Sequence, residues 1–351
     1  MTATAEEFGE RVFEAALGAI QIYSIHIGDR LGFYRALSDG RQWFPSELAT
    51  ATSVSERYVR EWLEQQATYG ILEVDQADEA DRFHLPAAHA AVLADELNGN
   101  YLAPLARMLT TSGESMALLL DAYRTGGGVS WDRFGQDMRE SQADMNRPFF
   151  VNDLAGVVSS IASLHDRLDK PGARVADVGC GAGWSTLALA QAYPEAQLHG
   201  YDVDVPSIAM ARQNAEEAGL GDRVEFSAVD VGSLAEEVFD VAFAFECIHD
   251  MPQPVSVLAA MREMVGDEGL VIVMDEAVGD RFTGQGNEVE QLMYGFSLLV
   301  CLPDGLSSEP SAATGTVLRP DTLRAYSSEA GFTGFRPLAE AGFFRFYELT
   351  P

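Results

Sequence analysis

The chain has 351 residues, 47% hydrophobic and 22% charged, which suits a soluble protein of two domains, or of one large domain with a helical extension, and excludes a small disulfide scaffold and wholesale disorder. The formal charge is −31, from 54 acidic against 23 basic residues, and Lys170 alone is a lysine. So acidic a chain repels a phosphate backbone, which argues against nucleic acid as a partner.

Three widely spaced cysteines, Cys180, Cys247 and Cys301, fit neither a disulfide framework nor a clustered metal site, and suit a reducing, cytoplasmic compartment. Met1 to Glu10 is acidic and lacks an apolar stretch, so no secretory signal is expected. No apolar run approaches the roughly 18 residues that a membrane helix needs, so no membrane association is expected.

Apolar residues at Phe8, Val12, Phe13, Ala16, Leu17, Ile20, Tyr23 and Ile27 recur three and four apart, which predicts an amphipathic docking helix over Glu6–Ile27. A helical stretch from Asp29 to Leu37 follows, and Pro45 opens a short helix. Ser53 and Glu56 are spaced as a capping box ahead of a helix through Tyr58, Val59, Trp62, Leu63 and Ala67 that ends at Gly70. Ile71–Val74 and Arg82–Leu85 flank an acidic turn and read as a hairpin. Three helices and a hairpin predict a winged helix. Residues 90 to 168 read as helical, broken at Gly126-Gly127-Gly128.

From Ala173 the pattern alternates between strands and helices. The expected strands are Arg174–Val178, Gln197–Tyr201, Val224–Val229, Val238–Phe245 and Leu270–Met274, the signature of a parallel α/β sheet. Phe332–Leu338 and Phe343–Leu349, separated by an Ala-Glu-Ala-Gly turn, suggest an antiparallel hairpin at its edge.

The first of these strands runs through Asp177 into Gly179-Cys180-Gly181-Ala182-Gly183-Trp184 and then a helix. Glycines let a ligand approach the backbone, and the helix start offers free N–H groups. A dinucleotide fingerprint needs glycine where Trp184 stands, and an apolar residue where Asp177 stands, so NAD is disfavoured. Asp202 ends the next strand, 19 residues beyond Gly183, and can accept hydrogen bonds from both hydroxyls of a ribose. Asp230 ends the third strand, where an acid can bind an adenine amino group, and the fourth leads through Phe245 and Glu246 to His249.

These ordered motifs resemble class I S-adenosylmethionine-dependent methyltransferases over about residues 170–351. Ile248-His249-Asp250, ahead of a helix and then Gly269–Val273, is similar to the winged-helix O-methyltransferases, whose N-terminal domain dimerises. Tyr123–Gly128 and Asn146–Phe149 extend the similarity to actinobacterial winged-helix methyltransferases. The resemblance implies a Rossmann-like seven-stranded sheet behind an N-terminal α-helical winged helix. It divides the chain into a dimerisation domain over 1–95, a helical linker and substrate cover over 96–168, and a catalytic domain over 169–351.

It also implies S-adenosyl-L-methionine as cofactor, a small-molecule acceptor and a homodimer. The cofactor would be held by Asp177, Gly179, Cys180, Gly181, Gly183, Asp202, Val203, Asp230, Val231, Phe245 and Glu246. By the same resemblance His249 is the general base and Asp275 orients it. A histidine with its ordinary pKa near 6.5 suits proton removal near neutrality, though capping the next helix would also explain His249. Asp275 could instead be a loop residue.

The family's second orienting carboxylate is not evident near Gly315-Thr316-Val317-Leu318. Carboxylates and histidines do not cluster along the chain, so no metal is expected. Trp184, Phe149 and Phe150 either wall the cofactor site or simply pack, and the stretch with Tyr294, Phe296 and Cys301 is either a lid or core. A DNA-binding regulator is the rival reading. The presumed recognition helix, Ser53–Ala67, carries two arginines against three glutamates, and the wing, Val74–Arg82, one basic residue against four acidic ones, which disfavours it. A cofactor-dependent rearrangement is a third reading that the sequence leaves open.

Overall fold

The computed structural model describes residues 3–76, 81–234 and 238–351. The tip of the expected wing, residues 77–80, lies outside the described residues. The chain forms two compact units, residues 1–114 with 140–148, and residues 115–139 with 149–351.

The first unit contains α1 (Ala5–Arg30), α2 (Phe33–Leu37), α3 (Pro45–Thr52), α4 (Glu56–Thr68), the antiparallel strands β1 (Glu73–Gln76) and β2 (Asp81–His84), α5 (Ala87–Leu93) and α6 (Ala103–Glu114). Thr4 and Glu7 form the capping box of α1. Helices α2 to α4 enclose a core of Phe33, Tyr34, Leu37, Leu48, Val59, Trp62 and Leu63, and Trp43 pairs with Phe83 to extend the wing. Close approach of α1 to α4 needs glycine at Gly28, where a Cβ would stand 2.4 Å from the Trp62 ring. Trp62 Nε1 donates to the Ser24 carbonyl at 2.9 Å, and Tyr34 Oη bonds Gln66 Oε1 at 2.5 Å.

The expected capping box at Ser53 is corrected. Ser53 takes a left-handed conformation (φ 57°) as the C-cap of α3, and Ser55 stands at the N-cap of α4. The continuous helix expected from Asp29 to Leu37 is interrupted at Gly32, which is left-handed at φ 72°.

The second unit contains α7 (Met116–Thr125), most of the first half of α8 (Trp131–Phe149), α9 (Ala155–Ser160) and α10 (Ala162–Leu168), followed by the sheet. Helix α8 is interrupted at Gly135 (φ 78°, ψ −167°). A π-helical turn, Phe150–Leu154, joins α8 to α9. Gly128 lies against backbone: a Cβ there would stand 2.2 Å from the Pro303 carbonyl oxygen, and the Val129 N–H donates to that carbonyl at 2.9 Å.

The strands are β3 (Arg174–Val178), β4 (Gln197–Asp202), β5 (Val224–Ala228), β6 (Val241–Phe245), β7 (Leu270–Glu276), β8 (Gly334–Ala341) and β9 (Phe344–Thr350). Their order is β5-β4-β3-β6-β7-β9-β8, with β3 to β7 parallel and β9 antiparallel to both its neighbours. Helices α11 (Trp184–Ala192), α12 (Val205–Glu217), α13 (Pro254–Val265), α14 (Glu288–Phe296), α15 (Leu302–Gly305) and α16 (Pro320–Glu329) complete the unit.

Strands β6 and β7 are buried along their whole length, as apolar runs covered on both faces require. One core, including Val175, Leu187, Ile208 and Phe243, covers one face, and another, including Val178, Leu258, Met261 and Val271, covers the other. Strand β6 starts at Val241 rather than at Val238, because the Phe239 N–H turns to the Met264 carbonyl at 2.8 Å. Strand β7 runs on to Glu276 because Asp275 and Glu276 pair with Arg345 and Phe344 of β9. The expected four-residue turn before β9 shrinks to Gly342-Phe343, since Glu340 and Ala341 still pair across the hairpin. No helix among the described residues is long and apolar enough to cross a membrane.

Candidate active site

Strand β3 delivers the chain into a turn in which Gly179, Gly181 and Gly183 all have φ between 52° and 80°, a region that favours glycine. The N–H groups of Gly179 and Cys180 donate to the Tyr201 carbonyl at 2.8 and 3.0 Å, which pins the turn to β4. A Cβ on Gly181 would meet nothing within 4 Å, so that side of the turn is open. Cys180 is buried, and burial pushes its thiol pKa well up, which leaves it unreactive.

Asp177 is 1% exposed. Its Oδ2 accepts from Ser185 Oγ and Thr186 Oγ1, both at 2.6 Å, and so fastens the first turn of α11 to β3. Its Oδ1 is buried without a protein partner. Burial raises its pKa to about 6, opposed by the Ser185 and Thr186 hydroxyls.

Asp202 closes β4. Its Oδ2 accepts from the Gly181 N–H and its Oδ1 from the Asp204 N–H, both at 2.8 Å, leaving lone pairs on each oxygen. Val203, beside it, is highly exposed. Asp204 caps α12 through the Ser207 N–H and is gripped by Arg139 of α8. Sequence reasoning missed Arg139, which lies 65 residues from its partner.

Asp230, beyond β5, is exposed and accepts the Gly232 N–H at 2.9 Å, while Val231 is buried. The Phe245 ring belongs to the core, 5.7 Å from that of Phe150. Phe149 lies 4.7 Å from Phe344, so these two aromatics pack as core rings. Glu246 turns the chain out of β6 with φ 50°, a strained value for a residue with a side chain.

His249 follows on the loop before α13 and is 3% exposed. Its Nδ1 lies 3.0 and 3.1 Å from the two carboxylate oxygens of Asp275, which sits within β7 rather than on a loop. Glu276 Oε2 approaches the same nitrogen at 3.5 Å, and Asp250 Oδ1 lies 3.3 Å from Nε2. Carboxylates lie at both nitrogens, an arrangement that favours the charged ring. Burial alone would lower the His249 pKa, but Asp250, Asp275 and Glu276 together raise it well above the ordinary histidine value. Relative to an ordinary histidine, the three carboxylates shift this ring toward its protonated form.

The fold also gathers residues that the sequence keeps apart. Cys301 ends a π-helical turn, Ser297–Cys301, and its sulfur joins His249 and Asp250 in a group whose ligand-capable atoms lie within 4.8 Å of one another. His249, Asp275 and Glu276 form a second such group, which corrects the expectation that histidine and carboxylates stay apart. Of the stretch with Tyr294, Val300 is buried, whereas Leu298 and Tyr294 are exposed. Tyr294 Oη accepts from Arg319 Nη2 at 3.1 Å.

Asp177, the glycine turn, Asp202, Asp230, Glu246, His249 and Asp275 thus occupy the carboxyl ends of five adjacent parallel strands, the position at which open α/β sheets bind ligands. Fold and motifs together define a methyltransferase domain preceded by a winged helix. Residues 169–302 match the family described as a methyltransferase domain, and residues 18–95 match the Rv2258c-like winged HTH domain.

A ubiquinone biosynthesis O-methyltransferase from Paracidovorax citrulli is 39% identical over 125 residues, covering 34% of this chain and 49% of that protein. Another from Pseudomonas fluorescens is 28% identical over 177 residues, covering 48% and 68%. The chain therefore spans about half the length of the first of these relatives. Among solved structures, mitomycin 7-O-methyltransferase MmcR superposes with a TM-score of 0.75 at 22% identity, covering 97% of each chain. Human N-acetylserotonin methyltransferase in complex with SAM gives 0.73 at 16%, covering 100% of this chain and 99% of that one. Both show likeness of fold over nearly the whole length.

Proposed function

We propose that the protein is an S-adenosylmethionine-dependent O-methyltransferase of a small-molecule hydroxyl, with His249 as general base. The observation that carries this reading is the pinning of His249 Nδ1 by Asp275, at the strand ends that also carry the glycine turn and Asp202. Two features suit the cofactor: the open side of Gly181, and the buried Asp177 Oδ1, an unpartnered acceptor for a cationic amino group.

In this reading Asp202 accepts from the ribose hydroxyls, Asp230 takes the adenine amino group, and Val203 and Val231 flank the base. The backbone of Gly179, Cys180, Gly181, Gly183, Phe245 and Glu246 lines the cleft, with Asp177 at its amino-acid end. The cofactor, when bound, supplies a methyl group on a positively charged sulfur. His249 removes the acceptor's proton through Nε2 once it has released its own, and Asp275 holds the Nδ1–H tautomer that puts the lone pair on Nε2. Positioning of the two reactants in a site sheltered from water supplies most of the acceleration.

The apolar face of α1, with Phe8 and Phe13 more than half exposed, supports a homodimer. The arginines of α4 support a role other than DNA binding: Arg57 is paired with Glu61, and Arg60 with Glu56. Three free cysteines suit the cytoplasm. Incubating the protein with methyl-labelled S-adenosylmethionine and a panel of hydroxylated aromatics tests the activity. Label should pass to a hydroxyl oxygen, and failure to bind the cofactor in calorimetry would sink the reading.

A further inference from the structure

We propose that Glu276 is a second carboxylate at Nδ1 of His249, beside Asp275, a positioning residue that sets the basicity of Nε2 by holding the Nδ1 side of the ring. This inference rests on the reading of His249 as the base.

Three observations carry it. Neighbouring residues of a strand ordinarily face opposite sides of a sheet, yet Asp275 and Glu276, at the end of β7, both reach Nδ1 of the same ring. Glu276 is 5% exposed, and its Oε2, the oxygen nearest the ring, has no hydrogen-bond partner. A buried acceptor of this kind is costly unless the adjacent charge rewards it. Residues 315–318 supply no carboxylate, and Glu276 is the acid that stands beside Asp275 at Nδ1.

The charged and titratable groups around the pair are few. His249 is faced by Cys247 and Asp250 from its own loop, Asp275 and Glu276 from β7, and Cys301 from the π-helical turn. Glu276 is faced by His249, Asp275 and Glu246. Tyr347 of β9 lies within electrostatic reach of Asp275, and Arg345, which pairs with Asp275 across the strands, is bonded to Glu340 at 2.6 Å. His249 is thus the cation that Glu276 meets. The charged ring favours the ionised form of Glu276, against the burial and the Asp275 carboxylate that hold Glu276 toward its protonated form. The acceptor's proton therefore arrives at a ring whose charge is already compensated.

The test reads the ring itself and needs no acceptor. In protein labelled at histidine with 15N and 13C, the His249 resonance is identified among the six histidines by its loss in His249→Gln. In the intact protein it should stay protonated past neutrality, and in Glu276→Gln its midpoint should fall by about one to three pH units. Glu276→Asp should restore part of the difference, and serves if the glutamine variant fails to fold. A ring that stays charged throughout in the parent and titrates in Glu276→Gln supports the proposal equally. Superimposable titrations, or a ring neutral at all pH values, overturn it. A His249→Gln variant that still methylates would refute the base and leave the titration result standing, so the two failures are distinguishable.

Discussion

Arg139 and Asp204 meet through two parallel hydrogen bonds, Nε to Oδ2 at 2.7 Å and Nη2 to Oδ1 at 2.9 Å, with both side chains at least 86% buried. The pair bears directly on Asp202, because the Asp204 N–H is what fixes Asp202 Oδ1. Arg139→Ala should destabilise the protein by about 3 kcal/mol, toward the lower end for breaking a buried pair, since Ser207 still binds Asp204. It should also weaken cofactor binding. Arg139→Lys should recover only part of either loss, because an ammonium lacks the two-pronged geometry. Urea unfolding and calorimetry read the two effects.

Asp202→Ala should weaken S-adenosylmethionine binding by about 1.5–3 kcal/mol, the range for hydrogen bonds to a charged group. Titration calorimetry checks it, and unchanged affinity would remove Asp202 from the cofactor site.

His249→Ala should bind cofactor almost as the parent does and transfer methyl about 10²–10⁴-fold more slowly. Because the surrounding carboxylates raise the His249 pKa, the parent's rate should climb with pH beyond neutrality before levelling. A variant that keeps the parent's rate and pH profile would reduce His249 to a structural cap.

Stability should fall as pH rises from about 4 to about 7. Burial raises Asp177 to about 6 and Asp304 to about 7, so the folded chain holds protons there that the unfolded chain has released. That contribution is complete below the unfolded carboxyl pKa and is lost through the folded values. Asp304→Asn keeps an acceptor for the Trp131 N–H and should reduce the slope by up to about one proton. Urea midpoints measured across this range decide it, and a flat or rising profile would contradict the burial argument.

Phe13→Glu should dissociate the expected homodimer, since Phe13 is 65% exposed on the apolar face of α1. Sedimentation at micromolar concentration checks it, and a monomeric parent would leave that face unexplained.

The parallel strands were legible because strands covered on both faces read as unbroken apolar runs, as Val241–Phe245 and Leu270–Met274 do. Asp202 and Asp275 were legible as acids ending such runs. Ser53 misled because serine is a good cap, and only the backbone shows that it had already entered a left-handed turn closing α3. Glu276 was hidden by the two-residue period of a strand, which assigns it to the side opposite Asp275. The Arg139–Asp204 pair has no local signal, since one arginine among 23 basic residues names no partner across 65 positions.

Strand β9 is inserted between β7 and β8, so that β7, which carries Asp275 and Glu276, has β6 on one side and residues 344–349 on the other. During synthesis the first five strands of the sheet can assemble while the outer edge of β7 still lacks its neighbour. Until β9 emerges, that edge offers unpaired backbone groups to any other chain, and the two carboxylates lack the backing of Arg345 and Phe344. A nascent chain stalled before residue 344 would be well advanced in folding while still presenting that open edge.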